Sequence, residues 1–147
     1  MAQGRLVEDD AGVLEVLGRS RRVAVLGMKT EAQASQPAFY VPEALLRAGF
    51  EIVPVPVYFP DVTHILGRPV YRAVADVPGP VDLVVVFRRP EDVPGHLEDL
   101  RAARPGAVWM QSGIRHDETA RALADAGIDV VQDRCAMVEA RRLPRAG

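Results

Sequence analysis

The chain has 147 residues, with 18 basic and 20 acidic side chains and a formal net charge of -2. So even a balance gives no electrostatic case for a nucleic-acid or membrane partner. The apolar content of 48% suits a single soluble domain over residues 1–147, long enough to bury a core.

One cysteine, Cys135, leaves no internal disulfide to form, so a reducing cytoplasm is the expected compartment. No apolar run approaches the roughly 18 residues of a membrane span. The opening MAQGRLVEDDAG lacks the basic-then-apolar pattern of a secretory signal.

In chain order, residues 9–17 predict an amphipathic helix docked outside the repeat that follows. Residues 23–26 predict a first strand, a valine-rich run with no polar alternation. Helical spacing over 37–49 places Tyr40, Ala44, Leu45 and Ala48 on one side, with Gly49 as the stop and Pro42 near the start. A second strand follows at 52–57. Residues 59–79 hold no convincing long helix, and a loop, a short strand near Val70-Tyr71 and one helical turn near Val74-Ala75-Asp76 are expected. Strands at 83–87, 108–110 and 128–131 alternate with helices at 89–104, where Pro94-Gly95 marks an interruption of the first turn, and at 116–127, and a short helix closes the chain at 135–142. Continuous apolar strands alternating with helices predict an α/β fold. The expectation is a Rossmann-like, doubly wound, mainly parallel sheet of five to six strands with helices on both faces.

In such a sheet a ligand occupies the crevice at the carboxyl ends of the strands. The candidates are therefore the residues that follow each strand: Gly27-Met28-Lys29-Thr30, Pro54-Val55-Pro56, Phe87-Arg88-Arg89, Gln111-Ser112-Gly113 and Asp133-Arg134-Cys135. The dinucleotide fingerprint needs three spaced glycines and an acid after the second strand. RVAVLGMKT supplies one glycine, and Val55-Pro56-Val57 supplies no acid. A phosphate-binding loop with a lysine-serine or lysine-threonine ending is absent as well. What remains still suits phosphate: a loop entering a helix, the ammonium of Lys29, the hydroxyl of Thr30 and the guanidinium groups of Arg88 and Arg89. The stiff Pro54/Pro56 exit suits a flat ring. Together these groups fit an adenine ligand carrying several phosphates.

The order VAVLG-MKT, FEIVPVP, VDLVVVFR, WMQSG and VVQDRC resembles the small single-domain coenzyme A-binding proteins over about residues 15–143. These are similar to the nucleotide-binding domain of the succinyl-CoA synthetase alpha subunit. The resemblance implies coenzyme A as the ligand. It implies that Gly27, Met28, Lys29 and Thr30 meet the phosphates and that Pro54, Val55 and Pro56 lie near the adenine. Val86, Phe87 and Arg88 would lie on the ribose or pantetheine side, and Gln111, Ser112, Gly113, Asp133, Arg134 and Cys135 would close the floor. The synthetase passes phosphate through a histidine in a second domain, for which this chain is too short. The reading is a small-molecule binding module for coenzyme A or an acyl-CoA, with no catalytic residue implied and the protein partner open.

Two rivals remain at this stage. One is an acyl-CoA- or nucleotide-dependent transferase using Cys135, whose thiol follows Asp133-Arg134. The other is a redox-sensing nicotinamide binder. Against the first, a lone cysteine such as Cys135 is more often a small buried apolar residue. His64, His96 and His116 lie too far apart in sequence to suggest a metal site. His96 and His116 are expected on the surface, Trp109 in the core, and Arg89 paired to Glu91 or Asp92. Asp82, ahead of its strand, is expected to be structural.

Overall fold

The computed structural model describes residues 3–144. Valine-rich runs too short for helices and too apolar for an exposed face become five parallel strands: β1 (Arg22–Leu26), β2 (Glu51–Val55), β5 (Leu83–Val86), β6 (Ala107–Met110) and β7 (Asp129–Val131). Between β2 and β5 lies a separate hairpin, β3 (His64–Ile65) and β4 (Arg68–Pro69). Its turn residues Leu66 and Gly67 both have positive φ, 53° and 72°. That is the twist a two-residue hairpin loop requires.

The main sheet runs β2-β1-β5-β6-β7. Register levels the strand exits: Leu26 lies opposite both Val55 and Val86, and Val86 opposite Met110. Successive side chains go to opposite faces, and each face is covered. On one face Val23, Val25, Ile52, Val85 and Trp109 pack with Val13 and Leu17 of α1 (Asp10–Gly18), Phe39 and Leu45 of α2 (Pro37–Arg47), and Ala136 of α5 (Ala136–Ala140). On the other, Leu26, Val53, Val84, Val86 and Val108 meet Leu100 of α3 (Leu97–Ala103) and Leu123 of α4 (Asp117–Asp125). The predicted doubly wound α/β sheet is the one observed. Residues 4–7 extend it as a partial sixth strand, with a single Leu6–Val130 bridge.

Three local expectations change. The predicted helix over 89–104 divides into a 3-10 segment, Pro90–His96, and α3, because Pro94 has no amide hydrogen to continue an α-helix. The short strand expected at Val70-Tyr71 forms two residues earlier, while the Tyr71 amide donates to Pro54 O at 3.0 Å along the edge of β2. Pro42 lies well inside α2, which begins at Pro37. None of the described helices is long and apolar enough to cross a membrane.

Candidate functional site

The chain passes from β1 outward to β2 and then back across to β5, so the order of connection reverses between β1 and β5. At such a switch point the strand exits diverge and open a crevice. Here the β1 exit carries Gly27 to Thr30 and the β5 exit carries Phe87 and Arg88.

Gly27 has φ +85°, and a Cβ built on it would sit 2.3 Å from the carbonyl oxygen of Phe87. The glycine is required by the neighbouring backbone itself. Its amide donates to Val55 O at 2.8 Å, that of Lys29 to Ala38 O at 3.1 Å, and that of Thr30 to Gln33 Oε1 at 3.0 Å. The Thr30 hydroxyl donates to Gln33 Oε1 at 2.8 Å and accepts the Ala32 amide, a capping box at the Glu31–Gln33 turn. Three of the four amides in the turn are therefore engaged by the chain. Met28 N–H has no intrachain acceptor among the described residues, although the Met28 side chain is buried in the core. The Lys29 side chain is half-buried and, among the described residues, forms no ion pair.

At the β2 exit, Pro54, Val55 and Pro56 are all buried and form part of the wall. Tyr58 emerges just beyond, 57% exposed. Phe59 follows in the left-handed region at φ 63°. The loop is pinned by Arg72, whose guanidinium donates to the carbonyls of Tyr58, Phe59, Pro60 and Val62 at 2.9 to 3.3 Å. So anchored, Tyr58 lies against Arg88, with the guanidinium carbon 5.4 Å from the ring centroid. The Arg88 cation holds the Tyr58 hydroxyl below the usual phenol range.

Val86 faces the core, Phe87 is half-buried, and Arg88 contacts His96 and Asp92 as well as Tyr58. Arg89 is exposed and bonds Asp92 at 2.8 Å, as its sequence position suggested. That bond holds the Asp92 carboxyl below its ordinary range.

The remaining predicted residues form a second group. Gln111 is buried, and its Oε1 accepts the Ala136 amide at 2.7 Å. Ser112 and Gly113 are exposed, and the Gly113 amide donates to Asp133 Oδ1 at 2.7 Å. Arg134 turns away toward the amino terminus, donating to Asp10 Oδ1 and Glu8 O. Cys135 is half-buried against the apolar layer beneath α1, α2 and α5. Gln111 and Arg134 thus secure the fold next to the crevice. Trp109, fully buried, donates to Arg134 O at 2.7 Å. Asp82 is structural, taking the amides of Arg21 and Arg22. His116 caps α4, its Nδ1 accepting the Thr119 amide at 3.2 Å.

Sequence reasoning missed Tyr58, Arg72 and the true place of His96, which is half-buried beside Arg88 and not a solvated helix position. The aromatic Tyr58-Phe59 pair, one residue past the Pro54-Val55-Pro56 exit, was the available signal. A concavity of about 1100 Å³ lies at the opposite, amino end of the strands, among Leu17, Arg21, Leu45, Phe50 and Met137. It contains none of the strand-exit groups, which line the switch-point crevice instead.

Fold and switch point together define a Rossmann-like, doubly wound α/β domain. Residues 21–141 match the model of the CoA binding domain family, and the chain belongs to that family. It is 33% identical over 128 residues to the uncharacterized protein YneT of Bacillus subtilis (strain 168), covering 87% of this chain and 91% of that one. The solved structure of cell-free ID.343 from Thermus thermophilus is 40% identical, with a TM-score of 0.82, over 92% of this chain and 98% of the other. A dinucleotide-forming acetyl-coenzyme A synthetase from Ca. Korarchaeum cryptofilum shares the fold, with a TM-score of 0.65 at 22% identity, over 80% of this chain and 27% of that one.

Proposed function

We propose that the crevice between β1 and β5 binds coenzyme A or an acyl-CoA, and that the chain is a binding module without chemistry of its own. The observation that carries this reading is a pair of cations on neighbouring strand exits: Lys29, free of any carboxylate partner among the described residues, and Arg88. An ammonium without a carboxylate partner on one strand exit and a guanidinium on the next call for an anion, and the ligand's phosphates supply it.

The residues present fit such a ligand. Lys29 and Arg88 take phosphate oxygens, and the Met28 amide adds the one donor that the turn leaves open. The buried Pro54-Val55-Pro56 exit and the exposed ring of Tyr58 offer a rigid edge and a flat face to the adenine. Gly27 and Thr30 shape the turn. Val86 and Phe87 give the wall, and Ser112 and Gly113 the exposed rim, on the side of the ribose and pantetheine. The apolar packing of Cys135 supports an inert thiol.

Titration calorimetry with coenzyme A, acetyl-CoA, NAD and ATP tests the proposal. Coenzyme A is expected to bind, and at a hundred times its dissociation constant to add about 2.7 kcal/mol of stability. Lys29→Ala should weaken it about tenfold through the lost charge-assisted contact. Binding of NAD without coenzyme A would overturn the reading. Equal affinity in Lys29→Ala and the parent would move the phosphates elsewhere.

A further inference from the structure

Arg88 leaves β5 with its side chain only 14% exposed. A guanidinium that deep needs its hydrogens placed. Three neighbours hold it. The Tyr58 ring lies against the guanidinium, and its hydroxyl interacts with the same cation. Asp92 stands 3.6 Å from Nη2, but its carboxylate is already committed to Arg89 at 2.8 Å. His96 gives the directional contact: its Nε2 accepts the Nε–H of Arg88 at 3.2 Å.

That bond requires an unprotonated Nε2, so the ring proton lies on Nδ1. Burial first, and then the charge of Arg88, hold the imidazole below its ordinary range and keep it neutral, against the opposite pull of Asp99 and Asp92. Asp99 is occupied in capping the Val74–Asp76 turn, accepting the Val74 and Ala75 amides at 2.8 and 2.9 Å. With Nε taken by His96, the outer edge of the guanidinium remains, and Nη1 has no protein acceptor among the described residues.

We propose that His96 is a positioning residue for anion recognition: by accepting the Nε–H of Arg88, it fixes the guanidinium so that its terminal nitrogens meet a phosphate in the β1/β5 crevice. The inference rests on the reading of that crevice as a coenzyme A site. His96 touches no ligand in this scheme, and acts through Arg88 alone.

A double-mutant cycle read by calorimetry with coenzyme A tests it. His96→Ala is expected to bind about tenfold more weakly than the parent, the size of one hydrogen bond to a charged group. His96→Gln, whose Oε1 can accept the same hydrogen without titrating, should recover most of that loss. In an Arg88→Ala background, His96→Ala should cause no further loss. A loss of equal size in both backgrounds, or a Gln variant as weak as Ala, would overturn the inference. Where His96→Ala does not fold, His96→Phe keeps the bulk of the ring and removes the acceptor, and the same outcomes decide. Absence of coenzyme A binding by the parent would bring down the functional reading and this inference together. A parent that binds, with Arg88→Ala and His96→Ala undiminished, would sink this inference alone.

Discussion

Gly27 shows how the chain's own packing can demand a glycine before any ligand is considered. A lone glycine after a first strand suggests backbone yielding to a phosphate. In the structure it yields to Phe87, whose carbonyl oxygen would lie 2.3 Å from any Cβ, while φ of +85° adds its own penalty. Gly27→Ala should therefore destabilise the ligand-free protein by on the order of 3 kcal/mol, combining left-handed strain with overpacking. Denaturant unfolding without ligand measures this; an undisturbed midpoint would show that β1 and β5 can part at no cost. The same distinction runs through the candidate site. The places of Lys29 and Arg88 at strand exits were legible from the valine-rich runs ahead of them, which become β1 and β5. The roles of Gln111 and Arg134 were hidden, since their partners, Ala136 and Asp10, are distant in sequence and adjacent only after folding.

At the scale of the element, α2 carries a proline where helices normally exclude one. Pro42 cannot donate to the carbonyl of Ala38, one turn earlier. That carbonyl accepts instead from the amide of Lys29, 3.1 Å away. The helix defect thus anchors the turn after β1 and orients the residue whose ammonium the functional reading uses. Pro42→Ala would restore a helical donor that competes for the same oxygen. The Lys29 amide should then exchange with solvent roughly fivefold faster, equivalent to about 1 kcal/mol of weakened hydrogen bond. Site-resolved hydrogen exchange reads this, and unchanged protection at Lys29 would break the link between helix and turn. The five strands were legible because burial on both faces leaves valine little alternative to continuous runs. The split of 89–104 was only half legible. Pro94-Gly95 marked an interruption, but only packing decided that a 3-10 segment would carry His96 back to Arg88.

The molecule as a whole is closed by its amino-terminal segment, a feature that local pattern could not reveal. Residues 4–7 cover the exposed edge of β7: Gly4 N donates to Ala124 O, Val7 N to Val130 O, and Val130 N to Arg5 O, each at 2.8 Å. Ion pairs then tie α1 to the carboxyl-terminal part of the sheet. Arg134 reaches Asp10 at 2.8 Å, Arg142 reaches Asp10 at 3.5 Å, and Arg19 reaches Asp129 at 2.6 Å. The hydrogen bond from Arg134, followed by the charge of Arg142, holds the Asp10 carboxyl below its ordinary value of 3.8. Burial pushes Asp129 upward, but its bonds to Arg19 and the Arg5 amide outweigh that and leave it lowered. A carboxyl lowered on folding is protonated first in the unfolded chain, so its contribution is present above about pH 4 and disappears as pH falls through the folded value. Asp10→Asn should accordingly melt below the parent at pH 7, with the gap closing as pH falls through the folded value of Asp10, where the parent's carboxyl is protonated too. The gap should also shrink with added salt, since this carboxylate lies at the surface. Melting curves across that range decide the matter. A gap that stays constant to the acid end would mean that α1 is held by Val13, Val16 and Leu17 alone, and that the charged clasp is an accessory to an apolar dock.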